Sequence, residues 1–218
     1  MTTRFIMVRH AETPGSLERR FTGTTDVELT PDGHRQAQEL AGRLRPVRID
    51  VMHVSPLVRC RQTAAPITEV TGRKATIVPE LREVGFGCIE NMTIGEALEQ
   101  FGDKLPQWFG GEDVCPPDGE TWNQVGERLK SWFAEAAEHY KDRTVLAVTH
   151  GGPILWLTRH LAGAPFRSMI VFEVDPASVT VFESRNEAGR DNWRIRLFND
   201  TTHLADPLMS SGAARSMP

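Results

Sequence analysis

Arg4-Phe5-Ile6-Met7-Val8-Arg9-His10 is the stretch that decides how this chain is read. Arg4 to Val8 reads as a buried strand rich in Ile, Met and Val, and buried strands of parallel sheets stay apolar throughout. This one stops on an arginine and a histidine. Ligands of open α/β sheets bind at the carboxyl ends of the strands. A cation beside an imidazole at a strand end therefore marks a place for an anion, with a nucleophile or base in it. Two solvated polar residues closing a strand would look the same, so the rest of the chain has to decide.

Outward from this stretch, strands and helices alternate. Thr30 is an N-cap and Pro31 suits a first helical turn, so a helix is expected from Pro31 to about Leu44, with Ala37, Leu40, Ala41 and Leu44 as its apolar stripe. Asp50–Ser55 is the next strand, and Ser55-Pro56 repeats the cap signal for a helix to about Val70. A short strand follows at Ala75–Val78. Thr93 and Thr121 each open a capping-box pattern, the first for a short helix to Phe101, the second for a long one to about Tyr140. That long helix carries Trp122, Val125, Leu129, Trp132, Ala136 and Tyr140 on one face, a core stripe. Thr144–Thr149 is a buried strand, and Gly151-Gly152-Pro153 turns it into a helix ending near Leu161. Ser178–Glu183 and Arg194–Asn199 close the chain as strands. The second alternates Trp193, Ile195 and Leu197 with polar residues and belongs at an edge. This order implies an α/β fold, a three-layer α/β/α sandwich with a mostly parallel central sheet. One domain is expected over residues 1–205, with a lid loop at 103–119 and a disordered tail at 206–218 rich in Ser, Gly, Ala and Pro.

The 218 residues carry 25 Lys+Arg against 29 Asp+Glu, a formal net charge of -4. No basic run or aromatic-basic interleaving suggests nucleic acid, and no apolar run approaches a membrane span. A cytoplasmic location is expected, with free thiols at Cys60, Cys88 and Cys115, which are odd in number and lack metal-site spacing. No metal and no cofactor is expected. The oligomeric state stays open between monomer and homodimer.

The unusual polar residues fall at strand ends. Arg9 and His10 close the first strand, Arg59 follows the second, Glu83 the third, and His150 ends the Thr144–Thr149 strand. All five can converge on one rim of the sheet. Two guanidinium forks match phosphate oxygens. The Gly151-Gly152-Pro153 helix start adds backbone N–H donors. A neutral imidazole can attack phosphorus, and a nearby carboxyl group can protonate the leaving oxygen. His34, His53, His139, His160 and His203 match no such pattern and read as structural or solvated.

Five segments, in order along nearly the whole chain, resemble the histidine phosphatase superfamily, phosphoglycerate mutase-like branch. They are Arg9-His10-Ala11-Glu12-Thr13, Phe21 to Thr30, Ser55 to Ala64, Leu81 to Gly87, and Val148-Thr149-His150-Gly151-Gly152. The resemblance implies metal-free phosphoryl transfer by a histidine acid-type phosphatase on a small phosphate ester. By position His10 would be the phosphorylated nucleophile, and Arg9, Arg59 and His150 would bind the phosphoryl group. Glu83 would be the general acid and then the base. Ser16, Thr22, Gly23 and Gly151 would contact substrate. Departures from the family pattern are Ala11 for its usual glycine, Phe86-Gly87-Cys88-Ile89-Glu90-Asn91 for Phe-Gly-x-Trp-Glu-Gly, and Leu155 for a frequent arginine. Ser16 stands where mutases carry Asn.

The same phosphohistidine serves phosphatases and mutases. The glycerate mutases carry an Arg-rich insert after the general acid, whereas no arginine or lysine occurs here between Glu83 and Lys104. They also carry Asn where Gly152 stands. Both features favour a phosphatase. A mutase-type phosphotransferase and a non-catalytic phosphate-binding module are the alternatives. Trp108 and Phe109 in the lid suit an apolar or ring-bearing leaving group, or else anchor the lid to the core.

Overall fold

The structure, a computed structural model, describes residues 2–165, 172–187 and 190–204; the expected tail at 206–218 lies outside them. The strands are β1 (Thr2–Arg9), β2 (Val51–Val54), β3 (Ala75–Ile77), β4 (Thr144–Thr149), β5 (Val179–Glu187) and β6 (Arg190–Asp200). They form one sheet in the order β3-β2-β4-β1-β5-β6. β1, β2, β3 and β4 are mutually parallel, and β5 and β6 add antiparallel pairings at one side. The helices are α1 (Pro14–Leu17), α2 (Pro31–Leu44), α3 (Val58–Thr71), α4 (Ile94–Phe101), α5 (Lys104–Trp108), α6 (Trp122–His139) and α7 (Gly151–Ala162). Among the described residues no helix is long and apolar enough to cross a membrane.

The two-residue period of the strands divides the core. Phe5, Met7, Val145 and Ala147 face α6 and α7, where they meet Leu129, Trp132, Phe133, Ile154 and Leu157. Ile6, Val8, Leu146 and Val148 face the other way, onto Leu40 and Leu44 of α2 and Cys60, Ala64 and Ile67 of α3. The result is the expected three layers with the sheet in the middle.

Three local expectations are corrected. The helix expected from Pro56 begins at Val58, and the Ser55 hydroxyl is shared between Leu57 N at 3.4 Å and His150 Nε2 at 2.8 Å. Its first turn is capped from outside, by Asp26 Oδ1 accepting from Val58 N at 2.6 Å. Trp193, Ile195 and Leu197 lie on an edge strand but do not share a face. The pairing of β5 with β6 slips between Val181 and Phe182, so Trp193 and Phe198 pack on the α6 side and Leu197 on the α2 side. The expected loop at 103–119 opens with a helical turn, α5. Trp108 at its end packs edge-on against Phe101 at 5.2 Å within a small cluster of Ile89, Ala97 and Leu105, so this tryptophan anchors the segment.

Candidate active site

β1 and β4 run in step, with Arg9 opposite Thr149. The residues that follow therefore emerge side by side. His10 N donates to the Thr149 carbonyl at 2.9 Å, and the His10 and His150 rings are 5.2 Å apart. Both imidazoles are buried, at 5% and 0% exposure. Burial, reinforced by Arg59 and Arg9, holds His10 well below the ordinary histidine pKa, so the ring is neutral near pH 7. His10 Nδ1 lies 2.8 Å from the Ala11 carbonyl, an acceptor only. Nδ1 therefore carries the proton and Nε2 the lone pair.

Arg59 is 1% exposed, and its charge is met by acceptors from three directions. Nη2 donates to the Gly23 carbonyl at 2.7 Å, Nη1 to the Thr25 carbonyl at 2.9 Å, and Nε to His150 Nδ1 at 3.2 Å. A guanidinium has five N–H donors, so two remain for a ligand. With Nδ1 accepting, His150 holds its proton on Nε2 and gives it to Ser55 Oγ. Burial, then Arg59, holds this ring neutral as well. The Cys60 thiol packs behind it, pushed up to about 12 by burial and so uncharged. Arg9 binds the Val174 carbonyl through Nη1, while its buried Nε has no partner among the described residues.

Glu83 reaches the rim from the segment after β3. Its Oε1 accepts from Val84 N at 2.9 Å and its Oε2 from Gly152 N, in the first turn of α7, at 3.4 Å. Gly152 is what lets the carboxylate in: a Cβ there would stand 2.3 Å from Glu83 Oε1.

Arg9, His10, Arg59 and Glu83 line one small cavity of about 70 Å³, together with Ser16, Thr22 and Gly23. Of the residues expected to act, His150 alone lines neither this cavity nor the chamber beside it; it packs against Arg59 and His10. The Ser16 hydroxyl is committed within its own turn, donating to the Thr13 carbonyl at 2.9 Å. The small cavity adjoins a chamber of about 570 Å³ along Arg9, Ser16, Arg20, Glu83 and Phe86. Gly151 lines the chamber, and its apolar wall is Phe21, Phe86, Phe109, Trp122, Leu155 and Phe172. Trp122, expected purely as core, serves both. Phe109 stacks on Phe21 at 5.5 Å.

Glu90 and the pair Glu120–Arg128 were not legible as site residues. The Glu90 carboxylate accepts from Thr24 N, Thr24 Oγ1, Thr25 N, Thr25 Oγ1 and Phe86 N at 2.7–3.2 Å. Burial works to raise its pKa, but these donors outweigh it and hold the group below the ordinary carboxylate value. Glu90 thereby ties the loop whose carbonyls hold Arg59 to the segment after Glu83. Gly23 in that loop takes φ +53°, and a Cβ on it would stand 2.2 Å from Glu90 Oε1. The available signal was that Glu90 keeps the glutamate of the altered Phe-Gly-x-Trp-Glu-Gly segment.

The family model for the histidine phosphatase superfamily (branch 1) matches residues 5–201. A bifunctional protein of Mycobacterium tuberculosis is 30% identical over 203 residues, covering 93% of this chain and 55% of its own length. The chain thus spans about half the length of that relative. PhoE of Bacillus subtilis, an uncharacterized phosphatase, is 27% identical over 208 residues, with 93% and 97% covered. The native structure of a mycobacterial glucosyl-3-phosphoglycerate phosphatase superposes with a TM-score of 0.82 at 25% identity, covering 92% of this chain and all of that one.

Proposed function

The chain belongs to the histidine phosphatase superfamily, branch 1, and from that membership we propose that it is a phosphoric monoester hydrolase of the histidine acid type, turning over a small phosphorylated metabolite through a phosphohistidine at His10. One observation carries this reading. A neutral imidazole with its Nε2 lone pair free shares a cavity of about 70 Å³ with two guanidiniums that still have donors to give. A phosphoryl group seated there would satisfy the orphaned Arg9 Nε and the two remaining Arg59 donors.

The chemistry then follows in two steps. His10 Nε2 attacks phosphorus as the bond to the leaving oxygen breaks, and Glu83 gives that oxygen its proton. A water then loses a proton to Glu83 and attacks phosphorus, the phosphorus–nitrogen bond breaks, and His10 returns neutral. The guanidiniums balance the charge that builds on the equatorial oxygens. His150 acts through Arg59, whose Nε it fixes.

Hydrolysis is favoured over return transfer by the chamber wall. Among its cations Arg9 faces the phosphoryl site and Arg20 is neutralised by Glu18 and Glu96. Arg19 shares the chamber lining with the carboxylates of Glu12, Glu173 and Asp175. Among the described residues a second phosphate meets a lining in which carboxylates outnumber cations, whereas an apolar or ring-bearing leaving group finds the aromatic wall. The test is to supply 3-phosphoglycerate with a trace of 2,3-bisphosphoglycerate, alongside a panel of phosphomonoesters, all with chelator present. Phosphate release without metal, fastest from another monoester, is expected. Rapid formation of 2-phosphoglycerate with little free phosphate would make the protein a mutase, and inertness toward every monoester would make it a binding module.

A further inference from the structure

Glu83 has to be placed to within a fraction of an ångström, yet it stands on backbone with no regular structure. A 3-10 turn at Pro79–Leu81 precedes it, and the chain runs irregularly through Phe86. No strand ladder or helix fixes these peptide groups, so something else must.

Arg128 of α6 does so. Its side chain is 10% exposed, and all five of its N–H groups are spent. Nη1 donates to the carbonyls of Glu80 at 2.5 Å and Arg82 at 2.9 Å. Nη2 donates to the carbonyl of Glu83 itself at 3.1 Å and to Glu120 Oε2 at 3.2 Å, and Nε to Glu120 Oε1 at 3.1 Å. The carbonyl between, Leu81, accepts from Thr149 Oγ1 at 2.6 Å, so four consecutive carbonyls are held. Glu120 completes the frame downstream: it accepts from Gly85 N at 3.1 Å and from Arg82 Nη2 at 2.5 Å. Neither Arg128 nor Glu120 lines either cavity.

We propose that Arg128, seated by Glu120, is the positioning residue for Glu83: it sets the backbone from which the carboxyl group reaches the leaving oxygen, and it touches no substrate. This rests on the proton-donor role proposed above for Glu83. The planar five-donor fork is essential to it, because a lysine ammonium offers three donors from a single point and cannot span three carbonyls and a carboxylate. A pair that merely fastened α6 to the sheet would affect all substrates alike, whereas a pair that aims the proton donor matters most when the leaving group needs its proton.

The experiment compares Arg128→Met, Glu83→Gln and the double variant, with kcat and KM measured on an alkyl phosphate and on p-nitrophenyl phosphate. An ångström of misplacement is worth up to about 10²-fold. Arg128→Met is therefore expected to lower kcat on the alkyl ester by about 10–100-fold with KM within about twofold, and to lower it far less on p-nitrophenyl phosphate. In the Glu83→Gln background the further loss should be under about twofold, since the group being aimed no longer has an acidic proton to give. Arg128→Lys, which keeps the charge opposite Glu120, is read in the same way if the methionine variant does not fold. Equal losses on both esters, or losses that multiply in the double variant, would overturn the proposal. If Glu83→Gln costs the alkyl ester nothing, the proton-donor role itself is wrong; if it costs much and the Arg128 variants cost nothing, only the positioning role is.

Discussion

Gly152→Ala is a small change with a large expected consequence. The added Cβ would stand 2.3 Å from Glu83 Oε1 and 2.8 Å from Val84 Cγ2, where ordinary contact begins at 3.4 Å. The obstructing oxygen is the end of a flexible side chain, so the carboxylate gives way by about 1 Å, and the buried Val84 methyl has to shift with it. A displacement of that size at the group that protonates the leaving oxygen is worth about 10²-fold in rate. The expected result is kcat on an alkyl phosphate lowered about 10²-fold, a near-normal KM because Arg9, His10 and Arg59 are untouched, and a smaller loss on p-nitrophenyl phosphate. Gly42→Ala is the control, since a Cβ on Gly42 in α2 meets nothing within 4 Å. It should stabilise by up to about 1 kcal/mol and leave kcat alone. Steady-state kinetics with both esters, beside thermal unfolding of both variants, decides the matter. A Gly152→Ala enzyme that unfolds normally and turns over alkyl phosphate within about threefold of the parent would refute the placement of Glu83.

Two further outcomes are expected. Glu90→Ala removes the acceptor for the Thr24, Thr25 and Phe86 donors. It should cost about 2 kcal/mol in urea unfolding and weaken inhibition by inorganic phosphate, because the loop holding Arg59 loosens; an unchanged urea midpoint would speak against this. The histidine shifts give a pH dependence with a definite sign. His10 and His150 titrate well below 6.5, and His203, buried beside Arg43, at about 4. Between those values and 6.5 the unfolded chain binds more protons than the folded one, so stability is fullest above 6.5 and falls as pH drops through that window. The acid limb of kcat/KM, set by His10 in the free enzyme, should lie well below 6.5, and a limb centred at the ordinary histidine value would contradict the buried, cation-flanked site.

The long periodic elements were legible because their pattern is local. Capping boxes at Thr93 and Thr121 and the cap at Thr30 appear where the sequence places them. The rule that sites form at strand ends gathers Arg9, His10, Arg59 and Glu83 onto one cavity without any distance being known. What escaped is non-local. Arg128 looks like any charge on the polar side of a helix, and its meaning arises only when α6 meets a segment 45 residues earlier in the chain. Glu90 finds its donors 65 and 66 residues away. Ser55 reads as a cap for the following residues, but its hydroxyl is shared between Leu57 N and His150, 95 residues on. The edge strand's two faces exchange at a bulge that no alternation of residue types announces.

The most direct test of the account is to trap the phosphoenzyme. Turnover with a phosphate-labelled monoester, quenched rapidly, should leave label on the protein that survives base and is lost in acid, and peptide mapping should place it on His10. His10→Ala should abolish both label and turnover while preserving the fold. Label on any other residue, or turnover by His10→Ala near the parent rate, would contradict the central claim.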